Sequence, residues 1–144
     1  MSDTEKEARK TLARKKANEL GIEISDDAVL ENAEITDVSI RFARGTFLTM
    51  AVGLDYEGAG QQSYGAQMVL NDYSDDLERR TGTEFGCEVI QRMVRVFDGE
   101  ALGDAEGQNA RAIHDRSRVY AIGHATKDEW HAHDRIKKNF DATV

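Results

Sequence analysis

Residues 33–70 read AEITDVSIRF (33–42), ARG (43–45), TFLTMAVGLD (46–55), YEGAG (56–60) and QQSYGAQMVL (61–70). The three longer runs alternate apolar and polar residues, the pattern of strands with one face buried. Val38, Ile40 and Phe42 belong to the first run, and Leu48, Met50, Val52 and Leu54 form one face of the second. Tyr64, Ala66, Met68 and Leu70 do the same in the third. Both breaks are short and contain glycine, so the expected arrangement is an antiparallel meander. The rest of the chain should cover or extend that sheet.

Downstream, residues 71–82 read as a polar loop ending in Arg79-Arg80. Thr81-Gly82-Thr83-Glu84 has the form of a capping box, predicting a helix over 83–97. Phe85, Val89, Ile90, Met93, Val96 and Phe97 give that helix a wide apolar face, suited to covering the sheet. Glu88 and Arg92 are spaced for an ion pair, and Gly86 suits a close approach to the sheet. A glycine-dotted linker (98–108) leads to NARAIHD (109–115) and RVYAIGHA (118–125), read as a hairpin. The tail is expected to pack Trp130, Ile136 and Phe140 along a short helix.

Upstream, residues 4–20 favour a helix stopped by Gly21, with a thin apolar stripe of Ala8, Leu12, Ala17 and Leu20. Residues 22–32 are a connector or a short helix with Ser25 as its candidate N-cap. The expected fold is α+β: an antiparallel sheet, meander plus C-terminal hairpin, covered by one main helix, with an extra N-terminal helix.

The 144 residues suit a single domain, 1–144. They are 40% hydrophobic and 32% charged, a globular composition. The net charge of −8 argues against a general DNA or RNA binder, whose phosphate contacts need a basic surface. No apolar run is long enough for a membrane span, and Met1-Ser2-Asp3-Thr4-Glu5 leads into charge rather than a signal peptide. A single cysteine fits a reducing cytosol.

Catalytic patterns are thin. Histidines stand at 114, 124, 131 and 133, and His131-Ala132-His133-Asp134 could hold a metal only if His124 joined it. Cys87 reads as a core or boundary residue, and no nucleophile elbow, phosphate loop or carboxylate pair appears. No metal or other cofactor is therefore expected. Gly58, Gly60 and Gly65 fit either a bulged hairpin or a backbone surface that a ligand approaches closely. The arginines are more informative. Arg41 and Arg44 flank Phe42, Arg79 and Arg80 precede the helix, and Arg111, Arg116 and Arg118 lie in the late hairpin. Guanidinium forks suit phosphates and aromatic rings stack on bases, so a few of these converging with Phe42 or Tyr64 would suit a small phosphorylated nucleotide.

Several short motifs occur in an informative order: Glu31-Asn32-Ala33-Glu34-Ile35, Phe42-Ala43-Arg44-Gly45 with Leu48-Thr49, and Gly58-Ala59-Gly60-Gln61-Gln62-Ser63-Tyr64-Gly65. Val69-Leu70, Gly82-Thr83-Glu84-Phe85-Gly86, Ile122-Gly123-His124 and Lys127-Asp128-Glu129-Trp130 follow. Over residues 31–131 this succession resembles the phage Thoeris anti-defence sponge family of the first type. The resemblance implies a non-enzymatic, homo-oligomeric inhibitor in the host bacterial cytoplasm. It would sequester cyclic ADP-ribose isomers uncleaved, and in some members CBASS cyclic oligonucleotides in a separate site. The family's aromatic near the end of the first strand falls on Phe42; Arg44, Gln62, Tyr64, Arg79, Arg80, Arg111 and Arg118 are the other candidate ligand residues, chosen for their chemistry rather than by the resemblance. This chain has Gly65-Ala66 where the family carries a glycine pair, and its tail after Trp130 is rich in histidine. Two other functions fit the residues: an acidic interaction protein, from the unbroken negative charges between Glu23 and Asp37, and a cyclic-nucleotide hydrolase, from the histidines.

Overall fold

The first two alternating runs pair antiparallel as β1 (Val29–Ala43) and β2 (Phe47–Tyr56). The structure, a computed structural model, describes residues 2–142. β1 starts earlier than its alternation predicts because Val29–Glu34 also pair, on the side away from β2, with β6 (Asn109–His114). Residues 22–28 form no helix, and Ser25 is not a cap: its hydroxyl donates to Asp115 Oδ2 at 2.7 Å.

The third run is shorter than predicted. β3 (Gly60–Tyr64) pairs with β2 as far as Tyr64 opposite Val52. The chain then turns at Gly65 and returns only as a single bridge between Val69 and Thr49, so Ala66 and Met68 leave the ladder. The cause is steric. A side chain on Gly65 would sit 2.6 Å from His133 Nε2 and 2.7 Å from the Met50 carbonyl, at a φ of +86°. Only glycine lets the strand step over that imidazole.

The polar stretch read as a loop is instead a hairpin of β4 (Asn71–Ser74) and β5 (Arg79–Gly82). Asn71 anchors it, accepting from the Leu48 amide (3.1 Å) and donating to the Thr46 carbonyl (3.0 Å). Helix α2 (Glu84–Val96) is capped by Thr83, not by a reciprocal box from Thr81, since the third helical residue is Gly86 and has no side chain to reach back. Gly86 seats against the Leu70 carbonyl, and Glu88 pairs with Arg92 at 2.6 Å. Cys87 is exposed on the outer side of α2, not at the core boundary.

β6 is followed by β7 (Val119–His124) and by the two-residue β8 (Trp130–His131), giving the order β3-β2-β1-β6-β7-β8. The sheet curls until its two edges meet. The Tyr64 hydroxyl of β3 lies 2.9 Å from His131 Nδ1 and 3.0 Å from the His131 carbonyl, and accepts the His133 amide at 2.9 Å. His131 Nε2 faces the Val89 carbonyl at 2.8 Å, which can only accept, so the imidazole proton sits on Nε2 and Nδ1 accepts. This clasp is buried, and Tyr64→Phe strands its partners. That change is expected to cost about 1–3 kcal/mol, read as a lower urea midpoint with an unchanged slope.

The curled sheet holds Ile35, Met50, Val52, Leu54, Tyr56, Ile122 and the α2 residues Val89 and Met93 on its inner side. Helix α3 (His133–Ala142) adds Ile136 and Phe140 there. Trp130 lies outside that helix, against Gly123 and under Arg111. On the outer side, α1 (Asp3–Leu20) packs Ala13, Ala17 and Leu20 against Ile113, Tyr120 and Ala121. The stripe therefore runs through Ala13 and not Leu12, which is 52% exposed. Beyond Glu34, β1 pairs only with β2 and projects as a two-stranded ribbon on which Ile40 and Phe42 are 43% and 63% exposed. No described helix is long and apolar enough to cross a membrane.

Candidate ligand site at the mouth of the curled sheet

Where the curl opens, three elements end together: the β2–β3 turn, the β6–β7 turn and the start of β1. They surround a recess of about 1070 Å³. Its wall is a ring pair. Tyr56, at the end of β2, and His114, at the end of β6, stack with centroids 4.1 Å apart and planes within 12°. Gln62 ties this wall to the opposite turn, accepting the Tyr56 hydroxyl at 2.8 Å and donating to the Asp115 carbonyl at 2.7 Å. Ala59, Gly60 and Gln61 offer a rim with little side-chain bulk, the close-approach surface that the glycine pattern allowed.

His114 is the unsettled group. Both ring nitrogens are buried without a hydrogen-bond partner, and Nε2 stands 3.6 Å from Glu31 Oε1. Burial pushes the imidazole pKa below its usual range, and Glu31 pulls it part of the way back. Glu31 in turn lies 3.6 Å from Arg9 Nη1 of α1. Asp115 is the opposite case. Its carboxylate accepts from Tyr120 (2.6 Å), Ser25 (2.7 Å), Ser117 (2.7 Å) and Arg118 (3.0 Å). Burial alone would raise its pKa, but those donors outweigh it and hold the group at about 2. Asp115 is thus a structural tie for the turn, while the buried His114 nitrogens have no hydrogen-bond partner.

The eight residues predicted to bind ligand do not converge within one chain. Gln62 lines the recess. Tyr64 is 2% exposed and committed to the clasp. Phe42 and Arg44 are exposed at the far end of the β1–β2 ribbon, with Arg44 at a φ of +52° in the turn. Arg79 and Arg80 lie on the β4–β5 hairpin, and Arg80 donates to the Asn71 carbonyl at 2.7 Å and covers Phe47 at 4.7 Å. Arg111 is spent on the carbonyls of His124 (2.8 Å) and Lys127 (2.7 Å), and Arg118 lies over Tyr120 at 4.4 Å.

Comparison with family models, curated proteins and solved structures gives no match to this chain. What the recess can do is therefore argued from its own groups. Sequence reasoning gave Tyr56 and Lys6 no role and met Glu31 only as the start of a motif. It met His114 only as one of four histidines, and its place at a strand end was the available signal. Among the described residues no cluster of three or more His, Cys, Asp or Glu is placed to hold a metal. His124 instead accepts the amides of Thr126 (3.1 Å) and Lys127 (3.0 Å).

Proposed function

We propose that the chain is a binding protein that takes up a small cyclic nucleotide signal, a cyclic ADP-ribose isomer foremost, and withholds it uncleaved. The observation that carries this reading is one recess of about 1070 Å³ bordered by the glycine-dotted turn, Gln62 and an unpartnered imidazole stacked on a tyrosine. Ligand pockets span roughly 300–1,000 Å³ and use a few convergent polar groups, and the mouth of a curled sheet is a common place for them. The turn and Gln62 belong to the Gly58–Gly65 motif, one of several in order on which the family resemblance rests. Sequestration needs affinity and copy number rather than a poised base, and no general base with an oriented partner is required of His114. In this reading the protein acts in the cytoplasm of an infected bacterium as a homo-oligomer. Neighbouring copies would bring the ribbon residues Phe42 and Arg44, with Arg79, to a shared surface or a second ligand.

The test is retention. The protein is incubated with cyclic ADP-ribose isomers and a cyclic dinucleotide, separated from free ligand by filtration, then heated, and the released compounds are identified by mass. Intact ligand in the protein fraction at near one equivalent per site is the expected result. Linear ADP-ribose would favour a hydrolase, and an empty protein fraction would overturn the reading. A second reading, an acidic protein that docks on a host factor, is favoured by one observation. Glu34, Asp55 and Glu57 border a separate hollow of about 460 Å³. It predicts binding to a basic protein partner that weakens steeply with salt.

A further inference from the structure

Helix α1 packs its apolar contacts on the sheet through a narrow stripe of small residues and Leu20, and its first half brings Lys6 to the recess. One of its cations lines the recess and a second pairs with a lining carboxylate. Lys6 lines the recess, and among the described residues its ammonium has neither an ion pair nor a hydrogen bond. Arg9 stands 3.6 Å from the same Glu31 oxygen that faces His114 Nε2 at 3.6 Å. On the β6–β7 turn, Arg116 also lines the recess with no carboxylate partner among the described residues.

Unpaired cations bordering one opening are notable in a chain with a net charge of −8. Three carboxylates also border the recess: Asp27, Glu31 and Asp115. Asp115 stays ionised with its oxygens occupied by four neutral donors, and Glu31 is offset by Arg9. Without α1, the opening would keep these carboxylates against Arg116 alone and would repel an anion.

We propose that α1 is the specificity element of the recess: Lys6, with Arg116 across the opening, holds the phosphate groups of the ligand, while Arg9 neutralises Glu31 so that the floor admits them. This rests on the reading that the recess takes a phosphorylated nucleotide, and deepens it by assigning the phosphate end. Lys6 is a ligand-contacting residue, and Arg9 is a positioning residue acting through Glu31. The nucleobase is left to the rest of the recess, from His114 to the Ala59–Gln61 turn.

The experiment uses the full chain, titrated by calorimetry with cyclic ADP-ribose and, separately, with adenosine, which shares the base but has no phosphate. Lys6→Gln is expected to weaken cyclic ADP-ribose roughly tenfold or more, the loss of one charge-assisted contact. Arg9→Gln should weaken it in the same direction. Lys6→Gln should move neither adenosine binding nor the melting temperature, and Lys15→Gln, on the same helix outside the recess, should leave all readings at wild type. Wild-type binding of cyclic ADP-ribose with Lys6→Gln unchanged would overturn the role of α1 and leave the binding function standing. An equal loss in Lys15→Gln would reduce the effect to general charge and also overturn it. No binding of cyclic ADP-ribose by the wild type would overturn both.

Discussion

Acidifying the protein from pH 7 to pH 4 is expected to cost it on the order of 5 kcal/mol of folding stability, with the loss beginning near pH 6.5. The reason lies in His131 and His133. Burial pulls His131 down to about 4, and the Val89 carbonyl that accepts its Nε2 proton offsets only part of this. Burial, with His131 and Arg118 nearby, pulls His133 down to about 3. In the unfolded chain both would take up a proton near pH 6.5. Between that value and the folded one the unfolded state binds more protons, so stability is full above about pH 6.5 and falls as the pH drops. The loss levels off only when the folded imidazoles protonate, near 4 for His131 and 3 for His133. Below about pH 4, Asp115 adds to it, because its depressed pKa of about 2 stabilises the fold only while the carboxylate is ionised. Domains commonly have about 5–15 kcal/mol in hand, so the protein should be close to unfolding at pH 4. Urea midpoints at each pH from 7 to 4 measure the effect. His133→Gln should flatten the slope between pH 6 and 4 whatever it costs at pH 7, and a wild-type midpoint constant across that range would refute the account.

Gly65→Ala should destabilise the protein by about 3 kcal/mol or more, among the larger effects a single methyl group can have. Two costs add. The residue holds φ at +86°, where an alanine is strained by about 1–2 kcal/mol. The added carbon would also meet His133 Nε2 at 2.6 Å and the Met50 carbonyl at 2.7 Å. The carbonyl belongs to a paired strand and cannot swing away. Gly45→Ala separates the terms, because Gly45 has a φ of +76° with open space around it. It should cost only about 1 kcal/mol, the backbone share alone. Equal melting temperatures for the two variants would mean that the crowding at His133 carries no weight.

Much of this architecture was readable in the chain. Alternation in 46–55 gave β2 its inward face, and the helical spacing of Val89, Met93 and Val96 gave α2 its buried side. Glu88 and Arg92 met as their spacing required. What could not be read was curvature. Period two says which residues share a face, not that the sheet rolls until Tyr64 of one edge reaches His131 of the other. The same blindness applied to Ile40 and Phe42, whose alternation is sound but whose stretch of ribbon outruns the cover beneath it. The arginines were chosen for their chemistry with phosphate. Arg80 and Arg111 meet equally strong demands from backbone carbonyls, and local sequence does not say which will win. The recess was missed because Tyr56, His114, Glu31 and Lys6 come from four separate elements and share no motif.

The clasp has a bearing on how the molecule is made. Synthesis delivers Tyr64 long before residues 131–133, so a growing chain carries an open, flat-edged sheet and an uncovered α2 until those residues have left the ribosome. Contacts so far apart in sequence close slowly, and exposed strand edges invite wrong partners in the meantime. Residues 130–142, carrying β8 and α3, therefore act as a latch that completes the ring.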